Sequence, residues 1–204
     1  MRSRTPLTLE GHCRRCYLRS EHCMCAVLPQ VECETEVVIV RHVVESRLTS
    51  NTGRLAALCL PRCHIIEYGG GPDFDDTQLP TTDAVLLYPG PTVPASELPR
   101  PRHIVVLDAT FRQARRMYKR ISALRGLPQL ALQAPTVVPQ RLRTPPHPDG
   151  MSTIEAIAEA LALIENPDRK PPLLRCYEEF VLRASRQRGR IHRPSKPVDT
   201  NVVP

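Results

Sequence analysis

Four short apolar runs, Val37–His42, His64–Tyr68, Ala84–Tyr88 and His103–Leu107, alternate with helical or turn-forming segments, and nothing else in the chain restricts its fold as much. Short continuous runs of Val, Ile and Leu bounded by turn residues are the signature of strands buried on both faces. Asn51–Leu60 reads as a short capped helix closed by Pro61. From Phe111 to about Ile121 a helix would place Phe111, Ala114, Met117, Tyr118 and Ile121 on one face. Leu130–Leu132 reads as a short strand, and 135–151 as a Pro-rich loop carrying Arg141 and Arg143. Ile154, Ile157, Ala158, Leu161 and Ile164 mark a further amphipathic helix, and a last helix runs from about Leu173 to Arg186. Strand–helix alternation predicts an α/β fold with a mainly parallel sheet and helices on both faces. Ligands in such sheets sit at the carboxyl ends of the strands, which is where Asp108 follows His103–Leu107.

The 204 residues suffice for one sizeable core. With no Trp, that core must rest on aliphatic side chains, and 22 Pro predict many rigid connections. The formal charge is +7. Arginine supplies most of it, and guanidinium forks match phosphate oxygens, which favours a polyanionic partner over a charge kept only for solubility. No run is apolar enough to span a bilayer, and the first residues lack the hydrophobic stretch of a signal peptide, so a cytoplasmic location is expected. There the eight Cys are expected to be thiols or metal ligands, not a disulfide framework.

Four segments carry chemistry. Cys13-x-x-Cys16 and Cys23-x-Cys25 bring two thiol pairs close enough to wrap a tetrahedral Zn²⁺, with His12 and His22 as nearby substitutes. A redox dithiol is the competing reading for Cys13 and Cys16, without a thioredoxin-like strand before it. Cys33, Cys59, Cys63 and Cys176 lie in or beside apolar runs and read as packing residues. In the second segment, Leu107 to Met117, Asp108 and Thr110 are rival caps for the following helix. Arg112, Arg115 and Arg116 crowd the first turns of that helix, where the macrodipole disfavours cations unless an anion is held nearby. A solvated face and an RNA contact both remain open for them. The third, Ser152-Thr153-Ile-Glu155, is a capping box that is also compatible with binding a ligand carboxylate. The fourth is Arg41-His42-x-x-Glu45 with Asn51-Thr52-Gly53-Arg54, a strand–loop–helix in which Gly53 allows close backbone approach.

In this order the segments resemble the DTW-domain family, the tRNA-uridine aminocarboxypropyltransferases. The namesake Asp-x-Thr-Trp stands here as Asp108-Ala-Thr110-Phe111, keeping a ring and losing the indole N–H. The Cys-rich start, His42-x-x-Glu45, Asn51-Thr-Gly-Arg54, Leu87-Tyr-Pro89 and Ser152-Thr-Ile-Glu-Ala156 also look like family motifs, so that the resemblance covers about 11–183. It implies a SPOUT-like fold with a C-terminal trefoil knot. It also implies transfer of the 3-amino-3-carboxypropyl group of S-adenosylmethionine to N3 of a tRNA uridine, releasing methylthioadenosine. On that basis Asp108 is the expected base, and Asp108, Thr110, Ser152, Thr153 and Glu155 line the donor pocket. Asn51, Thr52, Arg54, Arg112, Arg115 and Arg116 are the expected tRNA-binding residues, with Arg112, Arg115 and Arg116 also candidates for the donor carboxylate. An RNA methyltransferase and a zinc-stabilised RNA-binding module without catalysis are the competing functions. The expected organisation is a Cys-rich zinc-binding module over 1–32, the catalytic domain over 33–187 and a basic flexible tail over 188–204. No oligomeric state follows from the residues.

Overall fold

The computed structural model of the chain describes residues 10–71, 74–88, 92–130, 132, 141–142 and 150–189. Six strands form one sheet: β1 (Glu36–His42), β2 (Cys63–Tyr68), β3 (Ala84–Leu87), β4 (Thr92–Val93), β5 (His103–Asp108) and β6 (Gln129–Leu130). Every pairing is parallel, and the order is β2-β1-β5-β3-β6-β4. Among the described residues five α-helices accompany it: α1 (Val43–Ser46), α2 (Thr52–Cys59), α3 (Phe111–Arg120), α4 (Thr153–Ile164) and α5 (Lys170–Gln187).

Because side chains alternate along a strand, the central strands feed two separate cores. Val37, Ile39, Val85, Leu87, Ile104 and Val106 point to one face and pack with α2, α4 and α5. Val38, Val40, Leu86 and Val105 point to the other and meet Met117 of α3 together with Ile121, Leu124 and Leu127 just after it. Helices on both faces of a parallel sheet are therefore what the chain forms. Cys16, Leu18, Met24 and Val31 from the N-terminal segment belong to the first of these cores. That segment is further tied to α5, where Arg183 Nη1 donates to the Cys23 carbonyl at 2.6 Å and Gln187 accepts from the Arg19 N–H at 2.9 Å.

Three expectations shift. The strand placed at Leu130–Leu132 spans Gln129–Leu130 among the described residues, where Gln129 pairs with Leu86 of β3 and Gln129 and Leu130 with Thr92 and Val93 of β4. The last helix begins at Lys170, not Leu173, because Pro171 and Pro172 fit the first turn, where an N–H would have no intrahelical partner. Phe111 does not join the buried face of α3: it is 50 % exposed, at the helix start, while Met117 and Ile121 carry the burial. Most of the Pro-rich loop, including Arg143, and the tail from 190 lie outside the described residues.

Candidate functional site

Thr110, not Asp108, caps α3. Its N–H donates to Gln113 Oε1 at 2.9 Å, and Gln113 N–H returns to Thr110 Oγ1 at 3.4 Å. Asp108 is thereby left free of its own helix, and its carboxylate reaches elsewhere. It is 3 % exposed at the carboxyl end of β5. Asn51 Nδ2 donates to Oδ2 at 2.5 Å and Thr153 Oγ1 donates to Oδ1 at 2.6 Å. The first turns of α2 and α4, one before and one after β5 in the chain, thus converge on a single carboxylate. Both helices direct the positive ends of their dipoles toward it.

Asn51 is itself held. Its Oδ1 caps α2 by accepting the Arg54 N–H at 2.8 Å and also accepts from Arg41 Nη1 at 3.4 Å, which turns its amide NH₂ toward Asp108. Arg41 is the register partner of Asp108 in the β1–β5 pair and forms an ion pair with Glu67. Gly53 is required by this packing. A Cβ there would stand 2.6 Å from Asp108 Oδ2 and 2.8 Å from its Cγ.

These groups open on a cleft of about 780 Å³ at the carboxyl ends of the strands. Its polar lining includes Glu45, Asp108, Thr110, Arg112, Arg141 and Thr153, and its apolar lining includes Leu87, Val106, Leu130 and Leu132. Thr52, Phe111 and Ser152 lie on the same walls. Glu155 is 3 % exposed and closes the α4 cap, accepting the Ser152 N–H through Oε2 at 2.7 Å. Its other oxygen pairs with Arg141 Nη2 at 2.8 Å, and both side chains are nearly removed from solvent. Arg141 had no signal of its own in the sequence, since a Pro-rich loop has no periodicity to single out one residue.

The cationic candidates separate into two kinds. Arg112, Arg115 and Arg116 are exposed on α3, with Arg112 at the cleft. Arg54, by contrast, is 8 % exposed and turned inward. Its Nη1 and Nη2 donate to the carbonyls of Leu48 and Ser46 at 3.1 and 2.5 Å, and its guanidinium lies 3.5 Å over the Tyr17 ring. Burial lowers its pKa to about 10, still well above neutrality. Arg54 clamps the loop between α1 and α2, and an open phosphate contact does not suit it. Asn51, too, is 1 % exposed and committed to Asp108. Thr52 is 7 % exposed on the cleft wall.

The four N-terminal thiols come together as a cluster whose sulfurs all lie within 4.8 Å of one another. Cys13 and Cys25 are 3.6 Å apart, and Cys16 and Cys23 3.9 Å. A tetrahedral ion with metal–sulfur bonds of about 2.3 Å has edges of roughly 3.8 Å, so the donor set fits one. Burial raises the Cys13 thiol, but the N–H groups of Cys16 and Arg15 together with hydrogen bonds from the Cys23 and Cys25 side chains outweigh it and bring it down to about 6. Burial pushes Cys16 and Cys25 upward. Neither His12 nor His22 is part of the cluster. Cys33, Cys59 and Cys176 are buried and Cys63 packs at the core margin, with Cys59 and Cys176 in contact at 3.4 Å.

An all-parallel α/β sheet with a ligand-sized cleft at its strand ends and a doubly held carboxylate within it is the arrangement at which α/β proteins bind small molecules. The DTW-domain model matches residues 10–185, and the chain belongs to that family. It is 28 % identical over 187 residues to tRNA-uridine aminocarboxypropyltransferase 2 of Drosophila melanogaster, covering 85 % of this chain and 74 % of the relative. The Mus musculus protein of the same name is 27 % identical over 187 residues, 84 % of this chain and 60 % of its own length. The tRNA-uridine aminocarboxypropyltransferase A of Arabidopsis thaliana is 28 % identical over 231 residues, 91 % of this chain and 83 % of the relative. No solved structure matches. Among the described residues no helix is long and apolar enough to cross a membrane.

Proposed function

We propose that this chain transfers the 3-amino-3-carboxypropyl group of S-adenosylmethionine to N3 of a tRNA uridine and releases methylthioadenosine. The observation that carries the reading is the Asp108 carboxylate, fixed by Asn51 and Thr153 on the wall of a cleft large enough for a nucleoside-sized donor. Family membership and the printed names of the relatives support the reaction type.

Uridine N3 carries a proton that must leave as the nucleophile forms. Asp108 takes it: two donors fix the carboxylate in place, and proton transfer is only efficient within hydrogen-bond reach. The N3 lone pair then forms a bond to the methionyl Cγ next to the sulfonium. The Cγ–S bond breaks, its electron pair neutralises sulfur, and methylthioadenosine departs. Attack at Cγ and not at the methyl requires the donor to be held with its amino-acid chain toward the base. Thr110, Ser152 and Thr153 line the cleft for that purpose, and Glu155 supports them from behind through the α4 cap and Arg141. The exposed Arg112, Arg115 and Arg116 hold tRNA phosphates, while Asn51 and Arg54 act by positioning Asp108 and its loop. Thr52 belongs to the cleft wall beside them.

Zn²⁺ on Cys13, Cys16, Cys23 and Cys25 is part of the same reading. Four thiolates make a closed set with no open position for chemistry, so the ion would fasten the N-terminal segment against the core and α5. The division into a zinc module over 1–32, a catalytic domain over 33–187 and a basic tail goes with it, as does a cytoplasmic location. So does a SPOUT-related knot, which the family resemblance implies.

Mass spectrometry of tRNA after reaction with S-adenosylmethionine tests the assignment. An aminocarboxypropyl increment on uridine is expected. A methyl increment would replace the reading with a methyltransferase, and unmodified tRNA with a catalytically inert protein would leave the RNA-binding module.

A further inference from the structure

Tyr17 is the residue through which the Cys-rich segment reaches the loop behind the cleft. It follows Cys16 directly and holds a left-handed backbone, with φ 62°. A bulky residue keeps that conformation only where its surroundings dictate it. Here the Tyr17 N–H donates to the Cys13 carbonyl at 2.9 Å, and the Cys13 N–H donates to the Leu18 carbonyl at 2.8 Å. Leu18 and Cys16, on either side, are buried in the core. The turn that carries Cys13 and Cys16 thus fixes the half-buried Tyr17, and the Arg54 guanidinium carbon lies 3.5 Å from its ring centroid. From Arg54 the contacts run on to the reacting group. Its guanidinium donates to the carbonyls of Ser46 and Leu48, in the segment that leads to the cleft-wall residues Ser50 and Thr52. Its backbone N–H is accepted by Asn51 Oδ1 at 2.8 Å, and Asn51 Nδ2 donates to Asp108 Oδ2 at 2.5 Å. A ring face against a guanidinium that water barely reaches is a strong constraint, because cation–π attraction grows as the pair is desolvated.

We infer that Tyr17 is a positioning residue for the transfer: its ring seats Arg54, and through Arg54 and Asn51 it sets the Asp108 carboxylate. This rests on the role given to Asp108 above. Tyr17 does not touch the reacting atoms, so its effect is on where the base stands and not on the chemistry itself. A metal ion on the four thiolates would hold the same turn, which makes Tyr17 the side chain that carries order from the Cys cluster to the cleft.

Hydrogen exchange read by mass spectrometry, beside single-turnover rates, tests this on the full-length protein. Y17N removes the ring and suits the left-handed backbone, so the turn keeps its shape. It is expected to speed exchange over residues 46–54 on the order of 10-fold while β1, β5 and α5 stay as they are, and to slow turnover by a similar factor. Y17F, which keeps the ring face, should match the wild type in both. In the D108N background Y17N should cost less than about 2-fold more, because a residue acting through the base has nothing left to position. A full additive loss there would mark a merely structural role and overturn the proposal. Unchanged exchange at 46–54, faster exchange throughout the chain, or a metal content below the wild type's in Y17N would overturn it as well. Should Y17N not fold, Y17L, which keeps apolar bulk without the π face, carries the same comparison against Y17F. A wild-type protein that transfers no aminocarboxypropyl group would overturn the reaction assigned above and the catalytic half of this inference, while the exchange comparison would still decide whether Tyr17 seats Arg54.

Discussion

The Thr153 hydroxyl donates to Asp108 Oδ1 at 2.6 Å, tying the first turn of α4 to the end of β5. The bond spans 45 residues, and together with Asn51 it leaves the carboxylate little freedom on the cleft wall. A base held by two separate helices is sensitive to changes that do not touch the substrate.

D108N is the most direct of these. The new amide can donate to Thr153, whose hydroxyl can turn to accept, so folding should change little. Turnover should fall by about 10²- to 10⁴-fold, the usual contribution of a positioned general base. Single-turnover rates at saturating donor and tRNA check this, with donor binding measured alongside. Wild-type rates would remove Asp108 from the mechanism.

G53A reaches the same carboxylate through packing. With a Cβ only 2.6 Å from Asp108 Oδ2, either the side chain or the start of α2 must move. Destabilisation of roughly 1–3 kcal/mol is expected from such overpacking. Turnover should fall further than that loss of folded protein explains. Denaturant unfolding beside the kinetics of the folded fraction separates the two effects.

The arginines predict opposite behaviour. Alanine at Arg112, Arg115 and Arg116 should leave stability within about 0.5 kcal/mol, as for other exposed sites. The dependence of tRNA affinity on salt should become shallower by roughly one for each phosphate contact removed. R54A should do the reverse, lowering stability by losing the clamp on Leu48 and Ser46 while the salt dependence keeps its slope.

Removal of the metal should be felt beyond the N-terminus. The Cys-rich segment contributes Cys16, Leu18 and Met24 to the same core as α5, so a chelator is expected to lower the midpoint of the main unfolding transition. Elemental analysis should give about one zinc per chain, on the basis of four thiolate ligands. A full metal load after C13S/C16S would place the ion elsewhere.

The sheet was legible because its four longer strands are continuous apolar runs, and α2, α3 and α4 because each has a cap and a periodic apolar face. Two-residue β4 has no period to detect, and β6 shows in the sequence only as an apolar run that starts one residue late. The order that sets β5 between β1 and β3 depends on pairings between distant segments. At the site, Asp108, Thr110, Thr153 and Glu155 stood out as strand-end or capping residues. Their linkage did not, since the Asn51–Asp108–Thr153 contacts join three distant segments. Arg54 misled for a related reason. An arginine in the first turn of a short capped helix gives no sign that backbone carbonyls and Tyr17 will enclose it. Phe111 misled because the first residue of an amphipathic face can project past the core it is assigned to.

In the proposed reaction the amino-acid chain of the donor, and not its methyl, moves to tRNA. Parallel reactions with S-adenosylmethionine labelled either on the aminocarboxypropyl chain or on the methyl group test it most directly. Only the first label should enter tRNA, with methylthioadenosine formed in equal amount and both lost in D108N. Methyl label in the RNA, or no label of either kind from a protein that binds both donor and tRNA, would contradict it.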